Sequence, residues 1–175
     1  MEALGVKSKK ANLSNIVKIK VVAASDVNRV LRSIHVSQHL LPEKSVRLKP
    51  GKNFFSFVTL PPLCTFSENK IDGDAGLLYS GVIKMFLPGD SAEIAFVLEN
   101  LHEEKFLVAF QESAGTFRLL GDKENPCKLE EEFNNGGNRG RSFSFKCTAE
   151  HRAYFLPGIN DNVLSWSMEA PPLPL

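Results

Sequence analysis

CKLEEEFNNGGNRGRSFSFKC, residues 127–147, reads as two β-strands folded about a glycine. Apolar and polar residues alternate in each flank, the period of a half-buried strand. The middle is a Gly/Asn run, the residue types that most readily take the positive φ of tight loops. Folding about Gly136 sets strand 127–133 against strand 139–147, with Leu129 opposite Phe143, Cys127 opposite Phe145, Glu131 opposite Arg141 and Phe133 opposite Arg139. That register matches apolar with apolar and acid with base, each pair contributing roughly 0.2–1 kcal/mol. The same letters also suggest a phosphate-gripping loop or an RGG-like RNA element. However, the run lacks G-x-G-x-x-G spacing and a following helix, and one Arg-Gly-Arg is far short of an RGG repeat. The glutamates beside it would repel phosphate. A hairpin with a loop of about five residues is the reading that survives.

Strand signals continue on both sides of this hairpin. KFLVAFQES (105–113) and GTFRLLG (115–121) make a second hairpin about a Glu-Ser-Ala-Gly turn, and residues up to 156 add a further strand. Upstream, 14–24 alternates with Ile16, Lys18 and Lys20 on one face and Val17, Ile19 and Val21 on the other. NFFSFVTL (53–60) is a strand by its aromatic and β-branched content, ended by Pro61-Pro62, with 63–71 as its expected partner. Leu77 to Leu87 form a long strand, apolar on both faces and therefore central, in which Gly81 marks a bulge or a close backbone approach. Residues 25–50 are mixed in pattern, with a short strand in KSVRLKPGK. One helix is expected at about 90–101: Asp90 and Glu93 supply a capping box, and Ile94, Val97, Leu98 and Leu101 share one face. Strands, one helix, then strands again predict a mainly β fold, an antiparallel β-sandwich or partly closed barrel with one packed α-helix. The expected organisation is an N-terminal arm (1–13), a single β-rich domain (14–157) and an extended C-terminal tail (158–175).

Composition bounds the function. The chain has 175 residues, 43% of them hydrophobic and 23% charged, which is globular composition for one domain. With 21 basic against 20 acidic residues, there is no bulk field for nucleic acid or anionic lipid. No apolar run approaches the roughly 18–20 residues of a membrane helix, and no signal-peptide core is visible, so a reducing aqueous compartment is expected. Cys64, Cys127 and Cys147 fit neither a disulfide framework nor C-x-x-C spacing and are read as buried, reduced thiols.

A search for chemistry returns bland readings. His35 and His39 stand four apart without a third ligand, and Asp72 and Asp74 lack the rest of a calcium loop, so no metal or cofactor is expected. His102 and His151 read as exposed surface histidines, and no nucleophile signature is present, so no catalytic residue is expected. Lys7, Lys9 and Lys10 form the one basic cluster. With Arg139 and Arg141 they define the alternative reading, a binding module for nucleic acid or an anionic ligand through a basic arm and a hairpin loop.

Leu120-Gly121, Glu124-Asn125-Pro126, Gly136-Gly137, Phe143 to Phe145 and Ala153-Tyr154, with GLLYSGVIKMFL and a helix upstream, together resemble small structural proteins of bacteriophages and prophages over residues 76–156. Arg152 stands where those proteins have proline. The resemblance implies a non-enzymatic virion component of tail type (tail tube, tail terminator or neck ring), a β-sandwich with a flanking helix. Such a subunit assembles with copies of itself into a ring or stacked tube and with other virion proteins, in the host cytoplasm, without membrane or sequence-specific nucleic-acid binding. On that reading Asn134, Asn135, Gly136, Gly137, Asn138, Arg139 and Arg141 would touch neighbouring subunits. Glu130, Glu131 and Glu132 would face a lumen and keep DNA from sticking.

Overall fold

A computed structural model of the chain describes residues 15–31, 39–57, 63–73, 76–89, 92, 99, 101, 104–134 and 140–167. In chain order the strands are β1 (Ile16–Ala23), β2 (Val27–Val30), β3 (Val46–Leu48), β4 (Phe55–Phe57), β5 (Cys64–Gly73), β6 (Gly76–Pro88), β7 (Lys105–Glu112), β8 (Phe117–Leu120), β9 (Cys127–Asn134), β10 (Gly140–Ala149), β11 (Tyr154–Leu156) and β12 (Ser165–Ser167). A 3-10 turn, Ala24–Asp26, joins β1 to β2, and a one-turn helix α1 (Asp161–Leu164) precedes β12.

β7 explains the arrangement. Its run KFLVAFQE is apolar at successive positions, so both faces must be covered. Phe106, Val108 and Phe110 enter one core, while Leu107 and Ala109 enter a second. β1 pairs along one edge of β7, from Ala23 opposite Phe106 to Ile16 opposite Glu112. Along the other edge β8 pairs at Val108–Gln111, and β9 takes over at Lys105 and Phe106. The sheet then runs from β9 through β10 and β6 to β5, from β8 to β11, and from β1 to β4.

The first core draws side chains from β1, β5, β6, β7, β8, β9 and β10, so the large sheet curls over it. Between β1 and β5 the described residues give one bridge, Asn15 to Thr65, so the sheet is not closed into a barrel. The second core lies between β1, β7, β8 and β11 and a small sheet of order β12-β3-β2. The fold is therefore mainly β and sandwich-like.

Several expectations need correction. A bulge between Ile16 and Lys18 rotates Ile16 into the same core as Ile19 and Val21, which strict alternation had separated. Residues 63–71 pair with β6, not with the strand at 53–60, because Gly73 opposite Gly76 closes a tight hairpin. Residues 25–50 hold β2 and β3. Residues 158–167 are no extended tail, since Ile159 and Leu164 are buried in the second core and β12 runs parallel to β3. Of the expected helix, Ala92, Glu99 and Leu101 are described and helical, with Leu101 packed against the first core; the rest of 90–101 lies outside the described residues.

Gly81 is a close approach, not a bulge. The β6 ladders run unbroken through it, and an added Cβ would collide with the Leu120 side chain. Gly81→Val is expected to cost about 1–3 kcal/mol by overpacking. The check is the urea midpoint; an unchanged midpoint would show that Leu120 can step aside.

Candidate functional site

The β9–β10 hairpin forms, two residues out of the expected register. Asn134 pairs with Gly140, Phe133 with Arg141, Glu131 with Phe143 and Leu129 with Phe145. Slipping by two keeps every side chain on its face, so the sandwich is unaffected and only the neighbours change. Glu131 and Arg141 become diagonal neighbours, still joined by an ion pair in which both side chains are largely buried. The Arg141 guanidinium also lies over the Phe133 ring, 5.4 Å from its centroid. Arg141 is thus committed inside the hairpin. Asn135, Gly136, Gly137, Asn138 and Arg139 lie outside the described residues, as do Lys7, Lys9 and Lys10.

The three glutamates line one groove but differ in face and partner. Glu131 shares the core-side face of β9 with Cys127 and Leu129, whereas Glu130 and Glu132 face outward. There they border an open groove of about 930 Å³ across β5, β6, β10 and β9, where Thr65, Ser67, Ser142 and Ser144 surround Lys84 and Lys146. Lys146 is paired with Glu130.

A second cluster sits where β7 changes partner from β8 to β9. The six residues between those strands, Gly121–Pro126, form a loop built on the Asp122 carboxylate. Asp122 Oδ1 accepts the backbone N–H of Glu124 at 2.9 Å and of Asn125 at 2.7 Å, while the Asp122 N–H donates to Asn125 O. Gly121 turns the chain at φ +79°, where a Cβ would press on Cys127 Sγ at 3.0 Å. Asp122 Oδ2 meets His151 Nε2 at 3.0 Å, and His151 Nδ1 meets Arg152 O at 2.9 Å. Both partners only accept, so the imidazolium is the form that donates to each. The ring stacks on Tyr154, with centroids 4.3 Å apart. His151 is therefore a largely buried structural histidine and not the exposed one expected.

The same loop holds two thiols. Cys127 Sγ lies 3.4 Å from Leu120 O and Cys147 Sγ 3.1 Å from Asn125 O. The two thiols also lie within hydrogen-bonding reach of one another, and since each has one proton a bond between them replaces one of those donations. Burial pushes Cys127 well above the ordinary thiol value. Cys147 is lowered, first by the hydrogen bond from Cys127, with the His151 charge and a Gly121 backbone bond adding to it against desolvation and Asp122. Cys, His and Asp together suggest a catalytic triad. Both His151 nitrogens are taken by Asp122 and Arg152, so neither is aimed at Cys147 as a general base. Among the described residues no group of three His, Cys, Asp or Glu side chains is disposed to hold a metal ion.

Sequence reasoning missed this cluster because of its register: Cys127 was set opposite Phe145. With the two-residue slip the ladder ends at Lys128 opposite Lys146, one step short of Cys127 and Cys147, whose thiols meet just beyond it. Comparison with protein-family models, with curated proteins and with solved structures finds no match for this chain.

Proposed function

We propose that the chain is a non-enzymatic structural subunit that works by self-assembly, of the phage-tail kind its sequence resembles. The observation that carries this reading is the β5–β6 hairpin. β10 stops pairing with β6 at Ala149 opposite Tyr79, yet β5 and β6 continue together to Gly73 opposite Gly76. The two strands leave the body as an arm whose Ile71 and Leu77 are 43% and 41% exposed. Beyond Thr65 the far edge of β5 has no strand partner among the described residues. A long open edge with apolar side chains is a template for pairing with another chain, and a soluble monomer ordinarily blunts it. A neighbouring copy covering the arm and edge would give a head-to-tail contact, which closes into a ring or continues as a stack. Glu132, outward on β9, supplies negative charge of the kind a DNA-bearing lumen would need, while the charge of Glu130 is offset by Lys146.

Sedimentation velocity and negative-stain microscopy over a concentration series test the proposal. Rings or stacks are expected, and Ile71→Lys with Leu77→Lys should raise the dissociation constant at least tenfold while leaving the unfolding midpoint near wild type. A persistent monomer at the highest concentration would sink the reading. The competing one, an anion-binding module, has lost Arg141 to Glu131; a salt-dependent shift with DNA, abolished by neutralising Lys7, Lys9 and Lys10, would restore it.

A further inference from the structure

We propose that Cys127 and Cys147 are a hydroperoxide-reactive dithiol, in which Cys147 is oxidised first and Cys127 resolves it into an intrachain disulfide.

The backbone sets the pair up. Phe145 lies opposite Leu129 and Lys146 opposite Lys128, so the next step of the ladder sets Cys147 opposite Cys127, both on the core-side face. Directly opposed antiparallel residues have Cα atoms about 4.5–5.5 Å apart, inside the roughly 4.4–6.8 Å that a disulfide spans. Both cysteines are free thiols.

The two thiols differ in access and in acidity. Cys147 borders a small cavity of about 10 Å³ with Gly121, Ala149 and His151. That is the lower limit for one water, so a tripeptide disulfide is excluded and hydrogen peroxide, the smallest hydroperoxide, reaches the sulfur only when the cavity opens. Cys127 is fully buried and does not line the cavity. The thiolate, not the thiol, is the nucleophile, and Cys147 is the cysteine lowered in pKa, chiefly by a hydrogen bond from Cys127, whose one proton would turn from Leu120 O to the Cys147 sulfur. Cys64, in the same core, is pushed up to about 12 by burial and has neither a thiol neighbour nor this cavity, so it is a built-in control.

The reaction balances with a hydroperoxide as oxidant. Cys147 thiolate sulfur attacks one peroxide oxygen; the S–O bond forms, the O–O bond breaks, and hydroxide leaves and is protonated to water. Cys127 sulfur then attacks the Cys147 sulfenic sulfur; the S–S bond forms, the S–O bond breaks, and hydroxide leaves as water with the Cys127 proton. Two thiols and one hydrogen peroxide become one disulfide and two waters. The groups facing Cys147 are Cys127, the Gly121 backbone, the Asn125 carbonyl, which accepts from the thiol, and Asp122 and His151, whose opposite charges act on the thiolate in opposite directions.

The test uses the full chain. After hydrogen peroxide, alkylation under denaturing conditions and peptide mapping should show a Cys127–Cys147 crosslink with Cys64 alkylated, while glutathione disulfide gives no mixed disulfide. Cys127→Ser should stop at a sulfenic acid on residue 147, trapped by dimedone on denaturation, and Cys64→Ser should behave as wild type. Independently of any variant, timed hydrogen peroxide treatment of the native protein followed by peptide mapping should oxidise Cys147 at least tenfold faster than Cys64. Absence of the 127–147 crosslink, intermolecular disulfides only, or oxidation of Cys64 at an equal rate would overturn the proposal.

Discussion

Phe110→Ala is expected to lower the free energy of unfolding by about 3–5 kcal/mol, the range for truncating a buried aromatic ring. The Phe110 side chain is fully buried in the first core, and its ring meets Phe66 with centroids 4.8 Å apart. The cost should fall at the upper end because the site cannot collapse. Phe110 lies opposite Ile19 of β1 on one edge and Arg118 of β8 on the other, within ladders that hold both edges of β7, and Leu107 and Ala109 hold its opposite face in the second core. A backbone pinned on two edges and two faces leaves the cavity open, and the loss grows with the cavity that remains. Phe155→Ala is the matched control. Phe155 is 37% exposed, and its main neighbour is the Arg118 guanidinium 4.3 Å from the ring centroid, so truncation should cost about 0.5–1 kcal/mol. Urea titration of both variants decides it. A Phe110→Ala midpoint no lower than that of Phe155→Ala would show that the two cores are not separately packed.

The contrast shows what the sequence made legible. β7 is recognisable because five successive apolar residues leave a strand no solvent face. The β6 strand and its glycine are recognisable because Pro88-Gly89 and the Asp-Gly cluster punctuate it. Two things escaped. Short strands such as β2 and β12 carry three or four residues of ambiguous pattern, and their reason for existing is the second core, a tertiary fact that local periodicity does not encode. Register escaped as well. In 127–147 a slip of two residues preserves every face, so the alternation that identifies the hairpin is blind to it. The turn decides the register, and five loop residues admit more than one closure. That single ambiguity hid the meeting of Cys127 with Cys147. It also turned the Glu131–Arg141 pair, foreseen as opposed, into a diagonal one.

Asp122→Ala is expected to cost about 3–4 kcal/mol, which is large for a loop residue and follows from what the carboxylate holds. Asp122 is 2% exposed and accepts from Glu124 N–H, Asn125 N–H and His151 Nε2. Charge-assisted hydrogen bonds contribute about 1.5–3 kcal/mol each, and losing the acceptor also leaves donors unsatisfied beside the core. Asp122→Asn separates the two parts of that loss. The amide oxygen can still accept both backbone N–H groups, but its NH₂ then faces His151, whose Nε2 must accept while Nδ1–H keeps its bond to Arg152 O. The asparagine variant should therefore recover more than half of the stability lost in the alanine variant and hold His151 as the neutral Nδ1–H tautomer. The wild type should show both ring nitrogens protonated. Nitrogen-15 chemical shifts of the His151 ring read the difference directly. Two protonated nitrogens in Asp122→Asn would mean that the histidine's charge comes from elsewhere. Equal losses in the two variants would mean that the charge, and not the turn, is what Asp122 contributes.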